Sequence, residues 1–232
     1  MKIKIFADGA DIEGIRNLTL DPAIMGFTTN PTLMRSAGIT DYEAFAKDVI
    51  EVIGDKPISL EVFSDDIKEM DRQARKLSLL GSNVFVKIPI TNTKRESTLK
   101  IVRNLSSDGI KLNVTALMTL PQVESTVSAF MGGVDGCISV FAGRIADTGV
   151  DPLPIMKKSL DLMASNKNLE LIWASPREIF NIVQADEIGC HIITVTHEIL
   201  KKIGTIGKDL EEFSLDTVKM FFNDASNAGY TF

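Results

Sequence analysis

Asn83-Val84-Phe85-Val86-Lys87-Ile88-Pro89 is an apolar run interrupted by one lysine and closed by a proline. It is too short for a stable helix, and its valine, phenylalanine and isoleucine content suits a strand covered on both faces. Working outward, runs of the same kind recur at Ile3–Ala7, Ile24–Phe27, Ile58–Val62, Ile110–Val114, Gly136–Phe141, Glu170–Ala174 and His191–Val195. With Asn83–Ile88 they make eight strand candidates. Amphipathic stretches separate them: Asp41–Ile53, Asp66–Leu80, Thr93–Leu105, Leu120–Met131, Pro152–Ala164, Pro176–Ala185, Glu198–Ile203 and Asp216–Asn227 read as helices. Met70, Ala74 and Leu77, for instance, fall on one helix face. Pro121, Pro152 and Pro176 stand near helix starts, where a missing amide hydrogen costs little. Eight β–α alternations in 232 residues predict an α/β fold. The form expected is a single (β/α)8 TIM barrel over residues 1–232 with a C-terminal helix, ahead of a doubly wound open sheet.

Hydrophobic residues make up 44% and charged residues 24% of the chain, and the formal net charge is −6. That is ordinary globular composition. An acidic balance without a basic block argues against nucleic acid and anionic membrane partners, while a local pair of arginines still suffices for a small anion. No apolar run reaches the roughly 18 to 20 residues that span a bilayer. Asp8 interrupts the N-terminal stretch too early for a signal-peptide apolar region, so a cytoplasmic protein is expected. Cys137 and Cys190 lie far apart in apolar stretches and read as buried reduced thiols. Gly132-Gly133-Val134-Asp135-Gly136 matches neither dinucleotide nor P-loop spacing and reads as a turn. His191 and His197 form no metal-ligand cluster, and no Gly-x-Ser-x-Gly elbow occurs. No cofactor or metal is expected, although a carboxylate-only Mg²⁺ site stays compatible with the sequence.

In such a barrel the chemistry sits at the C-terminal strand ends. Those ends carry Asp8, Thr28 with Asn30, Glu61, Lys87, Asn113 with Thr115, Ser139 leading to Arg144, Ser175 with Arg177, and Thr194 with Thr196. Lys87 is the most informative. Burial disfavours an ammonium, and a neutral amine is what Schiff-base chemistry needs; the competing reading is a strand-end lysine snorkelling to water. Asp8 and Glu61 fit a general acid–base pair, against an N-cap for Asp8 and a plain ion pair with Lys87 for Glu61. Thr115 fits a water-holding hydroxyl, against one bonded to a backbone carbonyl. Ser175, Arg177 and Arg144 fit a phosphate site at a helix starting near Pro176, against surface pairing such as Arg144 with Asp147.

Phe6-Ala7-Asp8-Gly9-Ala10-Asp11, Gly26-Phe27-Thr28-Thr29-Asn30-Pro31-Thr32-Leu33, Val86-Lys87-Ile88-Pro89, Asn113-Val114-Thr115, Ser139-Val140-Phe141-Ala142-Gly143-Arg144-Ile145 and Ala174-Ser175-Pro176-Arg177 together resemble the transaldolase family in its short-subunit branch, which includes the fructose-6-phosphate aldolases. The resemblance implies a metal-free, class I aldolase mechanism. Lys87 is similar to the family's Schiff-base lysine, Asp8 to the acid–base aspartate, and Glu61 with Thr115 to the pair that orders the catalytic water. Asn30 and Asn113 match positions that bond the hydroxyls of a dihydroxyacetone unit, and Ser139 one near its C1 hydroxyl. Arg144, Ser175 and Arg177 resemble the phosphate site. A pentamer or decamer is implied. The branch members that release free dihydroxyacetone carry Gln at the position of Glu61 and Tyr at that of Phe141, so this chain resembles the transferring members. The activity implied is transfer of a dihydroxyacetone unit between sugar phosphates. An acceptor-free aldolase, a transaldolase for a modified ketose and a non-catalytic sugar-phosphate binding barrel are the alternatives. Two departures from the pattern are Gly9, in place of threonine, and Thr196-His197, in place of proline.

Overall fold

The structure, a computed structural model, describes residues 1–131 and 133–231; Gly132, the first residue of the stretch that reads as a turn from sequence, lies outside them. Eight strands, β1 (Lys4–Asp8), β2 (Ile24–Thr28), β3 (Ile58–Glu61), β4 (Val84–Pro89), β5 (Leu112–Leu117), β6 (Gly136–Val140), β7 (Leu169–Trp173) and β8 (Ile192–Thr196), close into a barrel in chain order. Every neighbouring pair is parallel, β8 returning to β1. The predicted barrel is therefore the fold, and the open sheet is not. Helices α1 (Ile12–Thr19), α2 (Pro31–Ser36), α3 (Tyr42–Ile53), α4 (Ile67–Ser78), α5 (Leu99–Ser107), α6 (Leu120–Ala129), α7 (Ala142–Asp147), α8 (Leu153–Met163), α9 (Phe180–Glu187) and α10 (His197–Leu200) connect the strands or follow them. Met1–Leu200 form one compact unit, which holds the barrel, and a second begins at Lys201. In that second unit α11 (Leu210–Ala228) starts at the Asp209 cap, whose side chain accepts from Glu211 and Glu212, and exposes Phe213, Val218, Phe221 and Phe222. Among the described residues no helix is long and apolar enough to cross a membrane.

Three helices differ from expectation at their starts: two begin late because side chains capture the backbone first, and one begins early at its own aspartate cap. The helix expected from Thr93 begins at Leu99. Asn92 Oδ1 accepts from the amides of Lys94 and Glu96, Asp65 accepts from the Thr93 amide and hydroxyl, and the loop closes with a Thr91–Ser97 bridge. The helix expected from Pro176 begins at Phe180, because Asn181 Oδ1 takes the amides of Arg177 and Glu178. The last helix begins at Leu210, ahead of the expected Asp216. Unforeseen α1 and α2 are capped by Asp11 and Asn30, whose side chains accept from Gly14 and Leu33.

The barrel interior is layered. Alternation along the strands points Lys4, Phe6 and Asp8 inward from β1, and Glu170 and Ile172 from β7. At the lower end Lys4 Nζ pairs with Glu170 Oε1 at 2.7 Å. Above lies an apolar layer of Phe6, Cys137, Ile172 and Ile192, with Phe85 and Phe141 packed against it. The Phe6 ring needs Gly26 opposite: a Cβ there would stand 2.6 Å from its Cζ. Cys137 and Cys190 are both free and buried. Burial pushes the Cys190 thiol up to about 12, so it is inert at neutral pH. On this apolar floor rests a polar upper layer.

Candidate active site

Lys87 stands in that upper layer. It is 6% exposed, so it does not snorkel to water. Its Nζ donates to the Thr29 carbonyl at 3.2 Å and lies 3.2 Å from Glu61 Oε2. Strand register causes this placement: Glu61 lies opposite Lys87 across β3 and β4, and Asn113 lies opposite it across β4 and β5. The ion pair that the sequence left open is formed. Glu61 is held at the strand end by Tyr42, whose hydroxyl donates to the Glu61 backbone carbonyl at 2.7 Å, and burial pushes that hydroxyl's pKa up.

Beside the lysine a hydrogen-bonded chain crosses the interior. Ser139 Oγ donates to Asn113 Oδ1 at 2.7 Å, and Asn113 Nδ2 donates to Ser59 Oγ at 2.9 Å. All three residues are buried. Ser59 was not singled out from the sequence, yet it lies two residues before Glu61 on one strand and so on the same inward face. Thr115 follows Asn113 on that face. Its buried hydroxyl makes no hydrogen bond to the protein, so the carbonyl-bonded reading is corrected. Such an orphan is costly in a core and common where a ligand or water is held. The next residue, Ala116, has φ 64° at a break in the β5–β6 register. That conformation costs a non-glycine residue about 1–2 kcal/mol, and bulges of this kind re-aim side chains beside active sites.

Asp8 ends β1 without capping a helix; Asp11 does that. Thr28 Oγ1 donates to Asp8 Oδ1 at 2.7 Å. Burial raises the Asp8 pKa, opposed by the charge of Lys87, the Thr28 hydrogen bond and His197. His197 packs on the β1–α1 loop: a Cβ at Gly9 would stand 3.0 Å from its Nε2, and one at Gly14 2.7 Å from its Cε1. The two departures from the family pattern are thus one packing unit, since the ring fills space that a side chain at position 9 would take. Asn30 spends its Oδ1 on the Leu33 amide, which leaves its NH₂ as a donor.

The arginines sit together at the α7 corner, but not as expected. Arg177 is exposed and clamps Asp147 with Nε and Nη2, at 2.9 Å and 2.6 Å, while its Nη1 donates to Ser175 Oγ at 3.0 Å. The Asp147 partner foreseen for Arg144 belongs to Arg177. Arg144 instead lies over the Phe141 ring, 5.5 Å from its centroid. Neither Ser175 nor Arg177 is at a helix N-terminus, because α9 starts later. Ser175 has φ 59°, and its carbonyl lies against Gly143, where a Cβ would stand 1.6 Å away. Only glycine fits there.

The family model described as transaldolase/fructose-6-phosphate aldolase matches residues 5–231. A probable transaldolase of Thermoanaerobacter sp. (strain X514) is 35% identical over 202 residues, covering 87% of this chain and 89% of that protein. Probable transaldolase 2 of Listeria monocytogenes is 35% identical over 203 residues, covering 87% and 88%. Among solved structures, a native KDPGal structure aligns with TM-score 0.58 at 13% identity, over 84% of this chain and 83% of that one. KGPDC from Streptococcus mutans aligns with TM-score 0.58 at 11% identity, over 87% and 91%. These likenesses show the shared barrel fold.

A buried carboxyl with a raised pKa predicts a stability signature. Protons bind Asp8 more tightly in the folded than in the unfolded chain, so its contribution is full below the usual carboxylate range and is lost as pH rises through the folded value. Asp8→Asn should therefore melt a few degrees higher than wild type at pH 7, as about 1 kcal/mol gives in a chain of this size. The gain should shrink below pH ~4. Thermal melts across that range check this; an equal or lower melting temperature at pH 7 contradicts it.

Proposed function

This chain belongs to the transaldolase/fructose-6-phosphate aldolase family, and we propose that it is a transaldolase. It takes a dihydroxyacetone unit from a ketose phosphate, fructose 6-phosphate or sedoheptulose 7-phosphate, and gives it to an aldose phosphate through an imine on Lys87. The observation that carries this reading is the enclosed Lys87 amine with the Glu61 carboxylate 3.2 Å away. Glu61 takes the proton that the amine must lose before attacking the C2 carbonyl. Glu61 and the unpartnered Thr115 hydroxyl hold the water that leaves as the imine forms. Asp8 removes the C4 hydroxyl proton, the C3–C4 bond breaks, and the aldehyde departs while the imine nitrogen takes up the electron pair as an enamine. The enamine then attacks the acceptor aldehyde, and the steps reverse. Asn30 and Asn113 offer amide hydrogens to the donor's hydroxyls. Ser139, whose own hydrogen goes to Asn113, accepts from the C1 hydroxyl. The sugar phosphate draws Arg177 from Asp147 and joins Arg144 and Ser175.

Transfer is favoured over free cleavage because Phe141, beside the site, has no hydroxyl with which to protonate the enamine. A second reading, a transaldolase for a modified ketose, is supported by His197, whose ring fills the Gly9–Gly14 notch next to Asp8. The reading extends to a cytoplasmic homo-oligomer: α11 exposes Phe213, Val218, Phe221 and Phe222, apolar surface of the sort that association covers.

Borohydride reduction in the presence of fructose 6-phosphate should add one dihydroxyacetone-sized mass to the Lys87 peptide. Lys87→Ala should lose both the adduct and turnover; full turnover in that variant sinks the assignment. Asp147→Ala, by freeing Arg177, should lower the donor KM by up to about fivefold, the range of an exposed ion pair; an unchanged or raised KM removes Arg177 from the phosphate site. Sedimentation of the native protein should give a mass several times 25.4 kDa, and a monomer contradicts the oligomer.

A further inference from the structure

A chain of hydroxyls leads from Asp8 to β8, and nothing in the reaction above uses its far end. Thr28 Oγ1 donates to Asp8 Oδ1 at 2.7 Å. The same oxygen meets Thr194 Oγ1 at 2.5 Å. A threonine hydroxyl carries one hydrogen. Thr28 spends its hydrogen on the carboxylate, which can only accept, so Thr194 is the donor in the second contact. Thr28 is 2% and Thr194 6% exposed, so bulk water does not stand in for either partner. The register explains the contact. β1 lies between β2 and β8, with Thr28 opposite Asp8 on one side and Thr194 opposite Phe6, one inward position lower, on the other. The Thr28–Thr194 bond therefore spans the barrel interior beneath the Asp8 carboxyl.

We propose that Thr194 is a positioning residue for the acid–base step: by donating to Thr28 it commits the Thr28 hydrogen to Asp8. This rests on Asp8 being the acid–base group of the reaction proposed above. Donation into the Thr28 oxygen polarises its O–H and strengthens the bond to the carboxylate. A protonated Asp8 gains less from that bond than the carboxylate does, so the pair of hydroxyls favours the form that can accept the C4 hydroxyl proton. The other groups whose charge acts on Asp8 are Lys87 from β4 and His197 from α10, and both remain when position 194 changes. Loss of the Thr194 hydroxyl then weakens one of the interactions that oppose burial, and Asp8 protonates at higher pH.

The test reads Asp8 directly and in turnover. The Asp8 carboxyl carbon is titrated by NMR, and kcat/KM for the donor, which reports the free enzyme, is measured over the same pH range. The proteins are wild type, Thr194→Val, Thr194→Ser and Thr194→Ala, the last serving if valine at this site folds poorly. Thr194→Val and Thr194→Ala should move both the carbon midpoint and the acid limb of kcat/KM upward by about half a pH unit, or roughly threefold lower activity on that limb. Thr194→Ser should superimpose on wild type. A loss of packing alone lowers the melting temperature without moving either midpoint. An unmoved carbon midpoint in both hydroxyl-free variants overturns the proposal, as does a serine variant shifted as far as valine. A moved midpoint with an unmoved kinetic limb overturns the link to turnover. Borohydride trapping on wild type is read separately, so failure of the imine assignment is distinguishable from failure at Thr194.

Discussion

An amine enclosed among strands must find its partners within the barrel, and the placement of Lys87 makes the rest of the upper interior polar. Its Nζ has the Thr29 carbonyl on one side and Glu61 on another, both held by neighbouring strand ends. Eight parallel strands closed in chain order fix the register at every seam, and that register decides which residues share a level with the lysine. Asn113, Ser59 and Ser139 on one side, and Asp8, Thr28 and Thr194 on the other, form two hydrogen-bonded chains around it. Each partner supplies what a buried polar group otherwise lacks.

That polar level rests on an apolar one. Phe6, Cys137, Ile172 and Ile192 fill the barrel beneath the site. The Phe6 ring lies where Gly26 leaves room. Local strain gathers above it: Ala116 and Ser175 both adopt positive φ, one beside Thr115 and one beside Arg177. Strain and a raised Asp8 pKa gather at one mouth of an otherwise regular barrel, as the proposed site would require.

The strands were legible because parallel strands buried on both faces are apolar throughout, and all eight were placed within a few residues. Helix starts were less legible. Asn92, Asp65 and Asn181 fold their side chains onto nearby amides, a local competition that hydrophobic spacing does not record. At the site, the inward alternation of β3 and β4 put Glu61 beside Lys87 as read. The pairing of Arg177 with Asp147 was missed because it depends on how the β7–α9 loop lies against α7, where Gly143 meets the Ser175 carbonyl. The hydroxyl of Thr115 was visible as a residue, but its lack of a protein partner, next to the β5 register break, is not something a sequence pattern announces.

The proposed reaction requires this interior to hold a ketose covalently at Lys87 with its C4 hydroxyl at Asp8. Crystals of the borohydride-reduced complex test it most directly. Continuous density is expected from Lys87 Nζ to C2 of the sugar fragment, with the open side of C3 facing Asp8 and the C1 hydroxyl near Ser139. Sugar bound with a free Lys87 amine, or attached to another lysine, would contradict it.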